Sequence, residues 1–223
     1  MLSAILNPPA YKSPCYNWWW WCVLVLRVAS GYNLLVRIII YSDMLRRGHT
    51  GMSLLVSAPF TGLLLAGGFV AEAIVFTGSL LAGGGLPDVD TRVPVVKHRG
   101  FLHTVWFGLI YGVLLGIVSL LVLTFLYTNN SIVQSVVDID SLQWIAVVSG
   151  VGGFAGVLSH LLGDMITPWG INPFEPVDDR KVKFELTKAS NESSNTALLI
   201  VGFVAMIGAF VYGGTHLVGG GGF

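Results

Sequence analysis

Five apolar blocks divide this chain, at residues 18–40, 52–81, 102–127, 142–162 and 196–218. A helix needs roughly 20 apolar residues to cross the hydrocarbon of a bilayer, and the last three blocks each meet that length. All three are rich in glycine, which lets helices pack closely in lipid. The first block is interrupted by Arg27, Asn33 and Arg37, and the second holds a single charge, Glu72.

The second block is long for one span and short for two. Pro59 lies inside it, with Gly67 and Gly68 near its middle. A single tilted helix would place His49 and Asp88 on opposite sides of the membrane. A helical hairpin turning at the glycines would bring them together, with legs of about 15 to 18 residues, each ~22–27 Å long. The hairpin is the favoured reading, and it is required if His49 is a metal ligand.

Composition fixes the class. Hydrophobic residues make up 54% of the chain and charged residues only 11%, and the mean hydropathy is +0.75. Soluble domains do not have this profile. The expected fold is all-α, a polytopic membrane bundle of four to six membrane helices. Twelve basic and twelve acidic residues cancel, so no nucleic-acid footprint is expected and the partner is membrane lipid. Cys15 and Cys22 are seven residues apart, about 10 Å on a helix, too far for a disulfide.

The basic residues orient the spans. Residues 128–141 carry Asp138 and Asp140 but no Lys or Arg, whereas 83–101 carry Arg92, Lys97 and Arg99, and 164–194 carry Arg180, Lys181, Lys183 and Lys188. The positive-inside rule then puts the ends of blocks three and four nearest those residues on the cytoplasmic side of a plasma or inner membrane.

Residues 1–43 stand apart as an atypical N-terminal segment, ahead of a domain at 44–223. They hold both cysteines and the run Trp18, Trp19, Trp20, Trp21, without the order of a signal peptide. Two readings stand. The segment is an extra membrane anchor with an aromatic belt, or the start is assigned too early and Met44 is the initiator.

Polar chemistry concentrates in three motifs. Asp88 and Asp90 follow Gly83, Gly84, Gly85 and Pro87, an expected irregular segment where one carboxylate binds a cation and the other bridges or acts through water. Taken alone, this pair reads as a solvated turn. His98 and His103 flank Arg99 and Gly100 where block three begins, with His103 expected in the first helical turn. Arg99 suits a phosphate oxygen, although Lys97 and Arg99 also fit plain anchoring. His160 and Asp164 are four residues apart and share a helix face, the spacing of a two-donor metal site. Pro168 ends that helix near Thr167. His49, upstream, has the weakest local signal, and His216 has no partner in sequence.

Buried imidazoles and carboxylates are costly in so apolar a chain unless a cation compensates them. All three motifs fall at one expected membrane face, so together they point to one polar pocket.

The elements Pro-Asp-x-Asp, His-Arg-Gly-x-x-His and His-x-x-x-Asp-x-x-Thr-Pro-Trp-Gly, preceded by Gly-His-Thr-Gly-Met-Ser, resemble the YdjM-like family of membrane-bound metal-dependent hydrolases. The likeness covers roughly residues 45–175. That family in turn looks distantly like the all-helical zinc-dependent phospholipase C and single-strand nuclease group. The resemblance implies metal ligands at His49, Asp88 or Asp90, His103, His160 and Asp164, with His98 a candidate addition. The soluble group also has a histidine where this chain has Trp169, and a late His-x-x-x-Glu that His216 does not complete. The resemblance therefore implies one or two divalent ions, of zinc type, rather than three.

Three functions follow. The first is hydrolysis of a phosphodiester or lipid-linked substrate by metal-activated water, with Asp90 as general base and Arg99 on a phosphate oxygen. The second is non-catalytic metal binding or metal transport, with Glu72 as a pathway residue. The third is a scaffold without metal. Residues 171–194 are expected to form a solvated cytoplasmic loop that could cover the site.

Overall fold

The computed structural model describes Met44 and residues 46–92, 100–136, 138–186 and 191–219, the side chains of 90–92, 136 and 219 excepted. The N-terminal segment 1–43, with its two alternative readings and both cysteines, lies outside the described residues, as do Lys97, His98 and Arg99.

The described residues form a helical membrane bundle. Its helices are α1 (Arg46–Ala66), α2 (Val70–Gly85), α3 (Val105–Asn129), the short α4 (Ser131–Val136), α5 (Ile139–Met165) and α6 (Glu192–Gly219). Five of these are long and apolar enough to cross a membrane, the second counted through to Val89. Two 3-10 turns, Pro87–Arg92 and Phe101–His103, lead out of α2 and into α3.

The second apolar block is a hairpin. Its turn follows a physical rule for helix ends: Gly68 N–H donates to Leu65 O at 3.0 Å and Phe69 N–H to Leu64 O at 2.9 Å. That pair of bonds is a Schellman closure, which needs a residue in the left-handed region between them. Gly68 supplies it at φ +83°. The legs hold 21 and 16 residues, so the first is longer than its apolar block suggested. It begins at Arg46, because long basic side chains can reach water from the membrane edge. Pro59 lies inside α1 without ending it.

The centre of the bundle is α5, which packs on α1, α2 and α3, while α6 packs on α1. In the most apolar window of α5, 61% is buried, against 6% for α3. Glycines line each seam. A Cβ on Gly152 would lie 2.7 Å from Phe76 O of α2, and one on Gly112 of α3 would lie 2.7 Å from Gly150 O of α5. A Cβ on Gly51 of α1 would stand 2.5 Å from Leu199 N of α6. Lipid tails are as apolar as the side chains, so close backbone approach is what holds these helices together. Hydroxyl pairs add to it: Ser53 with Ser159 at 2.8 Å, and Thr61 with Thr77 at 2.8 Å.

Two local expectations change. Gly83, Gly84 and Gly85 are not irregular; they are the last turn of α2. Gly83 and Gly84 are glycine there because that turn passes close to Ser53, Gly153 and Gly156, where a side chain would collide, whereas a Cβ on Gly85 would meet open space. The stretch after α5 is not wholly solvated either. Ile171 is buried and pairs with Val182 in an antiparallel bridge, and Phe184 N–H donates to Met165 O at 2.7 Å.

Candidate metal centre

The hairpin sets the parity of the helix ends. The start of α1, the end of α2, the start of α3 and the end of α5 come together, and each delivers one or two donors. His49 comes from the first turn of α1 and Asp88 from the 3-10 turn after α2. His103 comes from the 3-10 turn before α3, one element earlier than expected, because Thr104 is the N-cap of that helix. Thr104 accepts from Phe107 N–H at 3.2 Å. The post-α5 segment holds this corner: Val105 N–H donates to Pro173 O at 2.8 Å, and Trp106 Nε1–H to Phe174 O at 3.3 Å.

His160 and Asp164 project from the last turns of α5, as their spacing predicts, and the helix ends at Met165. Both are buried, with His49 and His103, while the Asp88 side chain keeps 21% of its surface exposed. His160 Nε2 lies 3.5 Å from Asp88 Oδ1 and 3.6 Å from Asp164 Oδ2. His103 Nε2 lies 3.5 Å from the same Asp164 Oδ2, and His49 Nε2 lies 3.8 Å from Asp164 Oδ1. The His49 and His160 rings stack with centroids 3.8 Å apart.

These distances discriminate between direct pairing and a shared ion. An N–H···O⁻ hydrogen bond would be about 2.7–2.9 Å. Two donors each ~2.1 Å from one tetrahedral ion stand about 3.4 Å apart. The observed separations, 3.5–3.8 Å, are longer than a direct hydrogen bond and lie nearer the second value. Two triplets, His49–Asp88–His160 and His103–His160–Asp164, each present ligand atoms within 4.8 Å of one another and could hold a metal ion.

The tautomer of His160 agrees. Its Nδ1–H donates to the Gly84 carbonyl at 2.9 Å, since a carbonyl can only accept. Nε2 is buried without a hydrogen bond and faces two carboxylates. In the neutral ring, a lone pair aimed between two anions is repulsive unless a cation lies among them, the role a metal ion or a proton on Nε2 can fill. Tying the remote ring N–H to a backbone carbonyl is also how metal-binding histidines are commonly oriented.

Of the seven expected donors, the structure brings five together: His49, Asp88, His103, His160 and Asp164. The backbone of Asp90 lies in the same 3-10 turn, with its side chain outside the described residues, and His98 and Arg99 lie outside them altogether. His216 is exposed on α6, with Nδ1 on Tyr212 O at 2.8 Å, away from the cluster in sequence and in partners.

Several contributors were not singled out as site residues by the sequence, although Thr167 lies in the His-x-x-x-Asp-x-x-Thr-Pro-Trp-Gly element and Gly84 in the glycine run. Gly84 supplies the carbonyl that fixes His160. Gly163 seats His49, since a Cβ there would lie 2.8 Å from His49 Nδ1. Buried Thr167 donates to Asp164 O at 2.8 Å and closes the end of α5. Their signal was adjacency: small residues placed beside His160, Asp164 and Asp88.

No curated protein and no solved structure matches the chain significantly. The sequence model of the YdjM inner membrane protein family matches residues 44–219, a stretch that contains every described donor. The chain is therefore an integral membrane protein and belongs to the YdjM inner membrane protein family.

Proposed function

We propose that this chain is a membrane-embedded metal-dependent hydrolase acting on a phosphodiester or lipid-linked substrate. The observation that carries the reading is His160, locked by Gly84 into the tautomer that aims Nε2 at two carboxylates. His49, His103, His160 and Asp164 would hold a zinc-type ion, with Asp88 completing the set on its exposed side. When bound, such an ion supplies Lewis acidity and a water whose pKa falls toward ~7.

His160 belongs to both triplets, but its single available nitrogen serves one ion. One ion is therefore the simplest occupancy. A second would draw on Asp164 Oδ1 beside His49 Nε2, with Asp88. Asp90 is the carboxylate left to take a proton from the attacking water, and Arg99 the cation left to hold a phosphate oxygen. The basic residues flanking the cluster support a site at the cytoplasmic face.

The rival reading, metal transport, relies on Glu72. That residue is buried in the first turn of α2, about 25 Å along α1 from His49. A carboxylate there is favoured by the helix dipole, so its burial needs no ion pathway.

The test is elemental analysis of purified wild type and Asp164→Ala, beside a hydrolysis panel of phosphodiesters, esters and amides. Wild type is expected to hold zinc and cleave a phosphodiester, and Asp164→Ala to lose both. Stoichiometric zinc with no hydrolysis of any panel member would overturn catalysis. Zinc flux in proteoliposomes, reduced by Glu72→Gln, would support transport instead.

A further inference from the structure

The stretch after α5 carries apolar surface that the metal centre does not use. Trp169, Phe174, Phe184 and Leu186 are all exposed, Phe184 at 56% and Leu186 at 76%. None of the four lies in a membrane-crossing helix. Single exposed apolar residues are ordinary, but several gathered in one place mark a surface that meets something other than water.

Backbone bonds fix where these side chains stand. Phe184 N–H donates to Met165 O at 2.7 Å and Leu186 N–H to Ile166 O at 2.9 Å, so both residues are tied to the C-terminal end of α5. Phe174 O accepts from Trp106 Nε1–H in the first turn of α3, and Trp106 is itself exposed. Helices α3 and α5 pack on each other and each can cross the membrane. Their ends mark the depth at which hydrocarbon gives way to headgroups, the level that tryptophan favours. The apolar side chains are therefore pinned at that depth.

We propose that residues 165–186 form a collar immersed in the membrane, its occupant the boundary between lipid headgroups and acyl chains. Continuity with the spans decides for lipid. Leu162 is exposed on α5 and shares a face with Ile166, so the lipid-facing surface of that helix runs on to the pinned residues. Headgroup charge is not what holds the collar. Glu175, Asp178, Asp179 and Glu185 oppose Arg180, Lys181 and Lys183, and two pairs close on themselves, Arg180 with Asp178 and Lys183 with Glu185. The long lysine and arginine stems let those charges reach water while the rings stay in lipid. A stretch held this way is a fixed rim at the end of the bundle rather than a solvated lid. The collar stands whether or not the protein binds metal or catalyses a reaction.

The experiment reads depth directly. Full-length protein with Cys15→Ser and Cys22→Ser receives a single nitroxide label at Phe184→Cys, Leu186→Cys or Asp179→Cys. Each is placed in lipid nanodiscs of phosphatidylcholine, alone or mixed with phosphatidylglycerol. Electron paramagnetic resonance then compares collisions with oxygen, which concentrates in lipid, and with a nickel chelate, which stays in water. The oxygen-to-nickel collision ratio at 184 and 186 is expected to exceed that at 179 severalfold, equally in both lipid mixtures. Where one of the two apolar positions does not tolerate its label, the other carries the same reading.

A nickel-dominated signal at 184 and 186 would overturn the proposal and return the stretch to solvent. Few collisions with either reagent would also overturn it, by showing that another part of the chain covers the patch. Immersion only in the phosphatidylglycerol mixture would overturn the apolar basis argued here.

Discussion

Gly163→Ala tests whether His49 is a metal ligand seated on this glycine. The new Cβ would lie 2.8 Å from His49 Nδ1 and 3.2 Å from its Cε1, where ordinary contact begins at 3.4 Å. The imidazole must retreat by about 0.6 Å. Metal–ligand distances hold to about ±0.2 Å, so that retreat takes His49 out of coordinating position. Loss of orientation at a metal-binding histidine costs about 10- to 100-fold in affinity. Meanwhile alanine is favoured over glycine inside a helix by about 1 kcal/mol, and α5 runs through this position. Zinc affinity by competition with a chromophoric chelator should fall at least tenfold, while overpacking against His49 and Met44, typically about 1–3 kcal/mol, should outweigh the helix gain and make the metal-free protein unfold somewhat earlier than wild type. If the loss acts through His49, the double variant His49→Ala/Gly163→Ala should bind zinc as His49→Ala does alone. Wild-type affinity in a folded Gly163→Ala protein would refute the argument that His49 is a ligand seated on this glycine.

Other outcomes follow from the same geometry. His160→Ala should abolish zinc binding, since it removes the one donor common to both triplets; elemental analysis checks it. Excess zinc should stabilise wild type by about 2.7 kcal/mol at 100 times Kd, and a chelator should reverse the gain in a thermal melt. Gly68→Ala should destabilise the hairpin by about 1–2 kcal/mol, because its φ of +83° suits only glycine; unfolding in mixed micelles measures it. Ser159→Ala should cost about 0.6 kcal/mol, the mean for an interhelical hydrogen bond in a membrane, by removing the bond to Ser53.

How much of this was legible in the sequence varied with the kind of signal. Span positions were read from the apolar blocks, because length and hydropathy alone set them. The meeting of His49 with Asp88 depended on a single choice at Gly67 and Gly68, and the glycine pair was the correct cue. His160 and Asp164 shared a face because four residues make nearly one helical turn. The helical state of Gly83, Gly84 and Gly85 was not legible. Three glycines suggest a break when seen alone, and only the approach of Ser53 and Gly156 shows that two of them are there for close helix packing. Nor could the roles of Gly84 and Gly163 be read, since a carbonyl and a missing Cβ leave no chemical mark in a sequence. The docking of Ile171 was hidden by the mixed charges that follow it.

The donors enter the bilayer at different times. His49 arrives with the first described span, Asp88 with the second and His103 with the third, while His160 and Asp164 arrive together at the end of α5, over 100 residues after His49. No nascent chain ending before α5 holds more than three of the five. On the proposed metal reading, a complete donor set would exist only once the fourth described span lies beside the first, while the span of α6 is still to come.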